Sequence, residues 1–406
     1  MKHQRAVLPP RTDLTSRRKR LAAKAAVHGE DLYERLKSRL LLGVTPPTDD
    51  PFYRVPENLE AFRPGEVLEG RSVEVRGFRL GIKADTWPVK FRSTDTTGAA
   101  VSGVATVMIP RRRFNGPIRP LLSYQCAIDA LGATADPSYT LRRGDQLELP
   151  LIALALRRGW AVVTTDYNGP RHAFCAFSLV ARFVLDGIRA AIGFPAAGFD
   201  AATPVGLWGY SGGALATLFA VELQAAYAPE LNIVGAAAGG AGVDITSSPQ
   251  MFEDGNFLSG IPFGSVIGAS RGFPDVDLHS VLTPQGQAMV AAAAAEMTME
   301  QLVASFPFVR WSDYLTVPSV FEIPGMRAVF DADRLGQATP MTPLHLYHAV
   351  HDKYPAIADV DKLVDKYRSE GVDVTYRRFR FGGHMTVALT GVPGSLRLLS
   401  ERFGAP

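Results

Sequence analysis

The sequence predicts an α/β fold with a mostly parallel sheet, helices on both of its faces, and a helical cap inserted between core strands. Short apolar runs that suit buried strands alternate with helical segments over much of the chain. A G-x-S-x-G pattern at residues 209–213 stands between one such strand and the following helix. The alternation stops at about residue 241, where an apolar, alanine-rich stretch begins.

The strand, turn and helix around Ser211 predict a nucleophile elbow. Residues 205–208 are apolar, and residues 214–223 are good helix formers. The turn between them is rich in glycine because a strand and a helix that cross closely leave no room for side chains. The first amides of the helix have no partner within it, so the amide of Gly212 is a candidate oxyanion donor. The pattern alone leaves open a glycine- and serine-rich turn without chemistry.

Composition limits the classes of protein that fit. The chain has 406 residues, 47% of them hydrophobic and 20% charged, with a formal net charge of only +3. This is ordinary for a globular protein, and it argues against nucleic acid as the main partner. Two cysteines, Cys126 and Cys175, exclude a disulfide scaffold and an ordinary structural zinc site. We expect two free buried thiols, with pairing of the two as the alternative.

Residues 1–43 are predicted to form a basic arm followed by a short helix. Residues 17–20 are all basic, which suits a solvated tail or, as the alternative, peripheral contact with an anionic lipid surface. No apolar run follows the first charges, so the arm does not resemble a secretory signal and we expect a cytoplasmic protein. No run of eighteen apolar residues occurs in the sequence, so we expect no spanning helix.

Residues 44–240 are predicted to form the first part of the core. An extended segment rich in proline comes first, at 49–68. Alternating or continuous apolar patterns then predict strands at 72–80, 88–95, 101–110, 120–125, 160–169 and 232–240, together with the strand of the elbow. Helical periodicity marks residues 147–159 and 175–191.

Residues 241–317 are predicted to be the cap, and residues 318–406 the second part of the core. The cap contains apolar stretches at 251–268 and 305–311 and an alanine-rich helix at 288–297. Without a core beneath it, this segment would expose a large apolar patch, so we expect an insertion and not a separate domain. The core resumes with a strand at 341–350, a helix at 358–369, a strand at 372–380 and a closing helix near Ser395.

An acid and a base follow Ser211 in the order that this architecture requires. Asp352 comes after the strand at 341–350, and His384 lies in the loop after the strand at 372–380. Both stand at carboxyl ends of predicted parallel strands, where open α/β sheets bind their ligands. We expect His384 to take the proton of Ser211 and to return it to the leaving group, while Asp352 orients the imidazole.

Other histidines and aspartates nearby fit these roles less well. Three histidines precede the acid in the chain, which is the wrong order for the base: His345, His348 and His351. Three aspartates fit the start and the solvated face of the next helix: Asp359, Asp361 and Asp365.

A series of stretches runs from about residue 50 to the end of the chain: DPFYRVPENLEAFRPGEVL, SYQ-x-x-x-D followed by DPSY, DYNGP, LDGIRAA, GYSGGA, HDKYP and GGH. In these stretches and in their order, the chain resembles the secretory lipase family of α/β-hydrolases with a helical cap. The resemblance implies hydrolysis of acylglycerols and other carboxylic esters, and in some members acyl transfer to alcohols. It also implies an oxyanion hole formed by Asp129 and Gly212. A carboxyl donates only when protonated, so either burial raises its pKa or the backbone donates instead.

Two departures from the family concern secretion. The sequence shows no secretory signal, and Asp136 stands where the secreted members have a cysteine before the proline. Secretion is therefore the alternative to the cytoplasmic location that we expect.

Together these observations predict a serine carboxylic-ester hydrolase that acts on a small-molecule or lipid ester through an acyl-enzyme, without a metal or cofactor. The apolar cap suggests an aliphatic acyl chain, which favours a lipase of the triacylglycerol lipase kind or a long-chain carboxylesterase over an enzyme for small esters. An acyltransferase with the same three residues is the alternative, because a dry pocket lets an alcohol compete with water. A non-catalytic scaffold that binds an apolar ligand is the third hypothesis. The sequence does not indicate an oligomeric state.

Overall fold

A computed structural model describes residues 43–77, 80–293, 296–352 and 355–404 of the chain. The predicted basic arm and its short helix, apart from Gly43, lie outside the described residues. So does any lipid contact of residues 17–20. None of the described helices is both long and apolar enough to cross a membrane.

The core of the protein is a nine-stranded sheet with strand order β1-β4-β5-β7-β6-β8-β9-β10-β11. Its strands are β1 (Val67–Gly70), β4 (Ala84–Thr94), β5 (Ala100–Pro110), β6 (Leu121–Gln125), β7 (Ala161–Thr165), β8 (Val205–Tyr210), β9 (Ile233–Gly239), β10 (Leu344–Ala349) and β11 (Val374–Phe379). A separate small hairpin consists of β2 (Arg76–Gly77) and β3 (Leu80–Gly81).

The strands from β7 to β11 in this order run parallel, whereas β1, β4 and β5 add an antiparallel edge. Every residue of β6, β7 and β8 is buried, which explains their nearly continuous apolar sequences. The prediction of a mostly parallel sheet is confirmed. Because parallel strands end at the same edge, the loops that follow β6, β7, β8, β10 and β11 are brought to one side of the molecule.

The helices of the described residues are α1 (Pro137–Arg143), α2 (Leu149–Arg157), α3 (Phe177–Gly193), α4 (Gly212–Tyr227), α5 (Gly260–Gly272), α6 (Pro284–Ala293), α7 (Met299–Ser305), α8 (Met326–Ala332), α9 (Ile357–Ser369), α10 (His384–Thr390) and α11 (Val392–Arg402).

Alternate residues of the central strands pack against different layers of helices. On β6, Leu121 packs into the cluster that contains residues of α3, α4 and α9. Its neighbour Leu122 packs into the cluster that contains residues of α2 and α11. The same alternation separates Leu207 from Trp208 on β8. The sheet is therefore covered by helices on both faces, as the sequence predicts.

A third apolar cluster lies in the helical segment between β9 and β10. It is built around large buried side chains such as Phe263 and Trp311, whose rings stack with centroids 4.7 Å apart. Residues beyond 317 belong to the same cluster, among them Met326 and Phe330 of α8. We therefore propose that the segment extends to Ala332, past the boundary that the sequence predicts.

Some elements differ from the expectations. The segment predicted to be extended at 49–68 contains two short 3-10 helices and ends in β1, which pairs with β4. The strand expected at 72–80 is the small hairpin of β2 and β3. The loop expected around His384 is shorter, because α10 begins at that residue. Both Cys126 and Cys175 are free, although Cys175 is only partly buried.

Glu222 of α4 binds the loop through which the chain returns from the helical segment to the core. Its carboxylate accepts hydrogen bonds from the amides of Gly336, Gln337 and Ala338 at 2.6, 3.2 and 3.3 Å. It also accepts one from the hydroxyl of Tyr367 on α9. One carboxylate thus fixes a loop and two helices.

The substitution Glu222→Ala is expected to lower the free energy of unfolding by about 3 kcal/mol, because it leaves a buried phenol and three loop amides without their acceptor. Urea unfolding followed by circular dichroism measures the change. The matched control is Glu401→Ala, at an exposed position near the end of α11, with an expected change below about 0.5 kcal/mol. Equal changes in the two variants would contradict this role of Glu222.

Candidate active site

Ser211 lies between β8 and α4 in a backbone conformation that side chains rarely adopt. Its φ is 54° and its ψ is −119°, and its amide donates to the carbonyl of Gly239 at 2.8 Å. Holding a non-glycine residue in such a conformation costs on the order of 1–3 kcal/mol. The turn directs the residue to the carboxyl edge of the sheet, as expected for a nucleophile elbow.

The glycines on either side of Ser211 are required by the close crossing of strand and helix. A Cβ atom on Gly209 would lie 2.1 Å from the carbonyl oxygen of Gly213. A Cβ atom on Gly213 would lie 2.0 Å from the carbonyl oxygen of Gln125 at the end of β6. Both distances are far below van der Waals contact, so these positions admit only glycine without movement of the backbone.

Ser211, His384 and Asp352 form one hydrogen-bonded chain. The Nε2 atom of His384 lies 2.9 Å from the Oγ atom of Ser211, and its Nδ1 atom lies 2.7 Å from Oδ2 of Asp352. The side chain of Asp352 is buried, at 7% exposure, while that of His384 is 26% exposed. A carboxylate on Nδ1 holds the proton there and leaves Nε2 free to accept the proton of the serine. The structure thus brings together three residues that are separated widely in the sequence.

Tyr210 holds His384 in place through a hydrogen bond to its backbone. Its hydroxyl donates to the backbone carbonyl of His384, and the two rings lie with centroids 5.1 Å apart. Burial raises the pKa of Tyr210, so the hydroxyl stays protonated and remains a donor. Gly240 has a φ of +65°, and a Cβ atom built on it would lie 3.0 Å from the imidazole of His384. The ring is therefore tightly enclosed on that side.

Asp129 stands over the first residue of α4. A Cβ atom on Gly212 would lie 2.3 Å from the Oδ1 atom of Asp129, so only glycine fits under this carboxyl group. Burial raises the pKa of Asp129 to about 6, and the nearby His384 lowers it. The amide of Asp129 has no acceptor among the described residues. Both the carboxyl and the amide of Asp129 are therefore available as donors.

The loop that carries Asp129 is bonded on two sides. On the core side, the hydroxyl of Tyr167 donates to the carbonyl of Cys126 at 2.6 Å and accepts from the amide of Ile128 at 3.0 Å. On the other side, the amide of Leu131 donates to the carbonyl of Met297, 2.9 Å away.

Further bonds reinforce both sides of this loop. The side-chain amide of Asn168 donates to the carbonyl of Ile128 at 2.8 Å. Arg271 of α5 donates to the carbonyl of Leu131 at 2.7 Å. The loop is thus shared between the core and the helical segment.

The remaining histidines and aspartates near the site take other roles. His348 is buried, with Nε2 3.0 Å from the carbonyl of Pro355, and burial lowers its pKa. Burial also lowers the pKa of His345, to about 4. Asp359 lies in the first turn of α9, as expected, but it is buried and accepts from Ser247 instead of facing solvent.

Sequence reasoning did not assign a role to Tyr167, Asn168 or Tyr210. The signal for the first two was the polar run that directly follows the apolar residues of β7, at the same sheet edge as Ser211. Tyr210 was seen only as the variable residue inside the G-x-S-x-G pattern. No pattern indicates that its hydroxyl reaches the backbone of His384.

The parallel sheet, the helices on both faces and the serine on a strand-to-helix turn define an α/β-hydrolase. The described fold is similar to that of Candida antarctica lipase A in its closed state, with a TM-score of 0.83 and 28% sequence identity, over 90% of this chain and 88% of that chain.

Residues 138–406 match the family described as secretory lipase, and the chain belongs to that family. It is 36% identical over 369 residues to a probable inactive lipase of Mycobacterium tuberculosis, covering 88% of this chain and 82% of the relative. It is 32% identical over 318 residues to a secreted triacylglycerol lipase of Malassezia furfur, covering 74% of this chain and 82% of the relative. The family is one of lipases and esterases, that is, of carboxylic-ester hydrolases.

The substitution Gly213→Ala is expected to destabilise the fold by about 3 kcal/mol, because the added methyl group meets the carbonyl of Gln125 at the end of a central strand. A suitable control is Gly193→Ala at the end of α3, where a Cβ meets no atom within 4 Å. Thermal unfolding of both variants measures the difference. A Gly213→Ala variant as stable as the control would mean that strand and helix do not cross as closely as described.

Proposed function

We propose that the protein is a serine carboxylic-ester hydrolase that acts through an acyl-enzyme on Ser211. The observation that carries this proposal is the hydrogen-bonded chain from Ser211 Oγ through the imidazole of His384 to the carboxylate of Asp352, at 2.9 and 2.7 Å. Membership of a lipase and esterase family supports it independently.

The chemistry follows from the positions of these groups. His384 removes the proton of Ser211 as the hydroxyl oxygen attacks the ester carbonyl, and Asp352 stabilises the imidazolium that forms. The imidazolium then protonates the leaving alcohol, and the acyl group remains on Ser211. In the second half, His384 activates water in the same way, and the acid leaves.

The negative oxygen of each tetrahedral intermediate needs donors that are in place beforehand. The amide of Gly212 is one, because the first amides of a helix have no partner within the helix. Asp129 supplies the other, either from its amide or from its protonated carboxyl. The raised pKa of Asp129, about 6, supports the second route, since it keeps a part of the carboxyl groups neutral near neutral pH.

One of the relatives is named a probable inactive lipase, so a scaffold without activity is the alternative that must be tested. Against it stands the completeness of the site in this chain. The nucleophile, base and acid are all present and within hydrogen-bonding distance of one another. We therefore propose that this chain is active.

We propose that the helical segment between β9 and β10 is a cap over the site. Its apolar cluster includes Leu131 and Phe174, which lie in the loops after β6 and β7 at the edge where Ser211 lies. A Cβ atom on Gly268 of α5 would lie 2.3 Å from the carbonyl oxygen of Phe174, so the packing there is close. An apolar cover of this kind favours long aliphatic acyl chains over small esters.

The surface beside His384 also suits an apolar substrate. Phe381, Met385 and Leu389 are 89%, 78% and 68% exposed, and all three lie within five residues of His384. Exposed apolar side chains next to a catalytic group mark a contact with lipid or with an apolar ligand. Together with the relative named a triacylglycerol lipase, this supports acylglycerols as the substrate class.

Acyl transfer would use the same acyl-enzyme with an alcohol in place of water. The two activities differ only in the second acceptor, so they are separated by the products formed from one ester at a low alcohol concentration. We favour hydrolysis, because the relatives reported above carry the name of lipase.

The relatives do not support the expected cytoplasmic location. The family is described as secretory, and the Malassezia furfur relative is named as secreted. We therefore propose that the protein acts outside the cytoplasm, which was the alternative.

Replacement of Ser211 by alanine tests the proposed function. Initial rates are measured on p-nitrophenyl esters from acetate to palmitate, and the variant is expected to lose at least about 10³-fold in kcat/KM, because the nucleophile is gone. The wild type is expected to prefer the longer chains. An inert wild type, or a variant as active as the wild type, would reject the proposal in favour of a scaffold or another site.

Two substitutions at Asp129 separate the carboxyl from the amide as the donor. If the carboxyl donates, Asp129→Ala loses about 10²–10³-fold in kcat, whereas Asp129→Asn keeps a neutral donor at every pH. The wild-type carboxyl is neutral below pH 6 and ionised above it, since its pKa is about 6. The ratio of Asn-variant to wild-type activity should then rise from pH 5 to pH 8. Near-equal activity of both variants and the wild type at all pH values would identify the amide instead.

A further inference from the structure

The loop between β6 and Asp129 is held through its backbone by side chains from elsewhere in the fold. The carbonyl of Cys126, the amide of Ala127 and both backbone groups of Ile128 each have a side-chain partner from elsewhere in the fold. Such partners restrict the positions that the loop can take.

Tyr167 makes the two central bonds of this loop. Its hydroxyl donates to the carbonyl of Cys126 at 2.6 Å and accepts from the amide of Ile128 at 3.0 Å. The side chain is 3% exposed, and burial raises the pKa of its phenol, so both bonds persist at any working pH. A hydroxyl that bridges residues two apart fixes the direction in which the chain leaves towards Asp129.

The proposed role of Asp129 requires an accurate position. Its Oδ1 atom occupies the space directly over Gly212, 2.3 Å from where a Cβ of that residue would lie. A donor contributes fully to an oxyanion only within a few tenths of an ångström of its place, and a displacement of about 1 Å costs on the order of 10²-fold in rate.

We propose that Tyr167 is a positioning residue of the oxyanion hole, which sets the place of Asp129 over Gly212 by bridging the backbone of Cys126 and Ile128. This inference rests on the proposed function, because it assigns the oxyanion hole to Asp129 and Gly212. Both hydrogen bonds of the Tyr167 hydroxyl go to the backbone of this loop, so the role that we assign to it is positioning and not contact with the substrate. It acts through the loop alone, and it does so equally whether the carboxyl or the amide of Asp129 donates.

The test is Tyr167→Phe, which removes both bonds and keeps the ring. We expect kcat on a p-nitrophenyl ester to fall 10- to 100-fold while KM changes less than threefold, because the transition state and not the substrate loses its donor. The matched control is Tyr227→Phe at the far end of α4, which also loses a hydrogen bond, at 2.9 Å to Asp186. Its kcat should stay within twofold of the wild type.

A transition-state analogue distinguishes positioning from a general loss of structure. A trifluoromethyl ketone adds to Ser211 and places a negative oxygen in the oxyanion hole, so its Ki should rise by the same factor by which kcat/KM falls. The Ki of the methyl ketone of equal length, which binds without adding, should not change. Equal rises for both ketones, or unchanged kcat and Ki in Tyr167→Phe, would overturn the proposal.

Hydrogen exchange gives a readout that does not depend on ester turnover. The amide of Ile128 should exchange faster in Tyr167→Phe than in the wild type, while exchange in the central strands stays the same. A wild type without esterase activity but with this change would reject the proposed function and retain the loop role of Tyr167. Unchanged exchange at Ile128 would reject the loop role itself.

A second variant covers the case in which Tyr167→Phe does not fold. Asn168→Ala removes only the 2.8 Å bond to the carbonyl of Ile128 on the same loop. We expect a smaller fall in kcat, of about threefold to tenfold, with the same pattern of unchanged KM and weaker binding of the trifluoromethyl ketone. A fall in kcat with a matching rise in KM would contradict positioning.

Discussion

The left-handed backbone of Ser211 depends on the absence of side chains around it, and the site depends on that backbone. The residue keeps its unfavourable φ of 54° because Gly213 presses against the carbonyl of Gln125 and Gly209 against Gly213. The contact ties β6, β8 and the start of α4 together at one point. The packing of the central strands thus holds the turn in its strained conformation, as is common for functional residues.

The carboxyl edge of the sheet brings the other residues of the site to Ser211. Ser211 follows β8, Asp129 follows β6, Asp352 follows β10 and His384 follows β11, and their strands run parallel. Side chains far apart in the sequence therefore converge without any long-range element dedicated to them. Rigid strands hold the geometry, while the loops between strand and helix supply the chemistry.

The sequence predicts the parts of the molecule whose patterns are local. The buried strands β6, β7 and β8 are short apolar runs, and Ser211 is found from its flanking glycines. Asp352 and His384 are found because each follows such a run in the expected order, although their catalytic roles stay predictions. The extent of the helical segment could not be predicted, because its apolar residues lack the period of a strand and pack in a cluster formed largely within the segment.

Contacts between residues that are distant in the sequence could not be predicted from it. Nothing local shows that the hydroxyl of Tyr167 reaches the backbone of Ile128, or that Asp359 is buried against Ser247. Such bonds join residues 39 and 112 positions apart, so they exist only once the sheet has formed. The antiparallel strand β1 was missed for a related reason, since its four residues show no clear alternation.

The two backbone bonds of Leu131 have a mechanical consequence. Its amide and its carbonyl are both held by the helical segment, through Met297 and Arg271, and Asp129 is only two residues away. Under the proposal that this segment is a cap, its displacement would also move the stretch of chain that leads to Asp129. The motion that uncovers Ser211 would then shift the proposed oxyanion donor as well, so that admission of substrate and readiness for chemistry would be coupled.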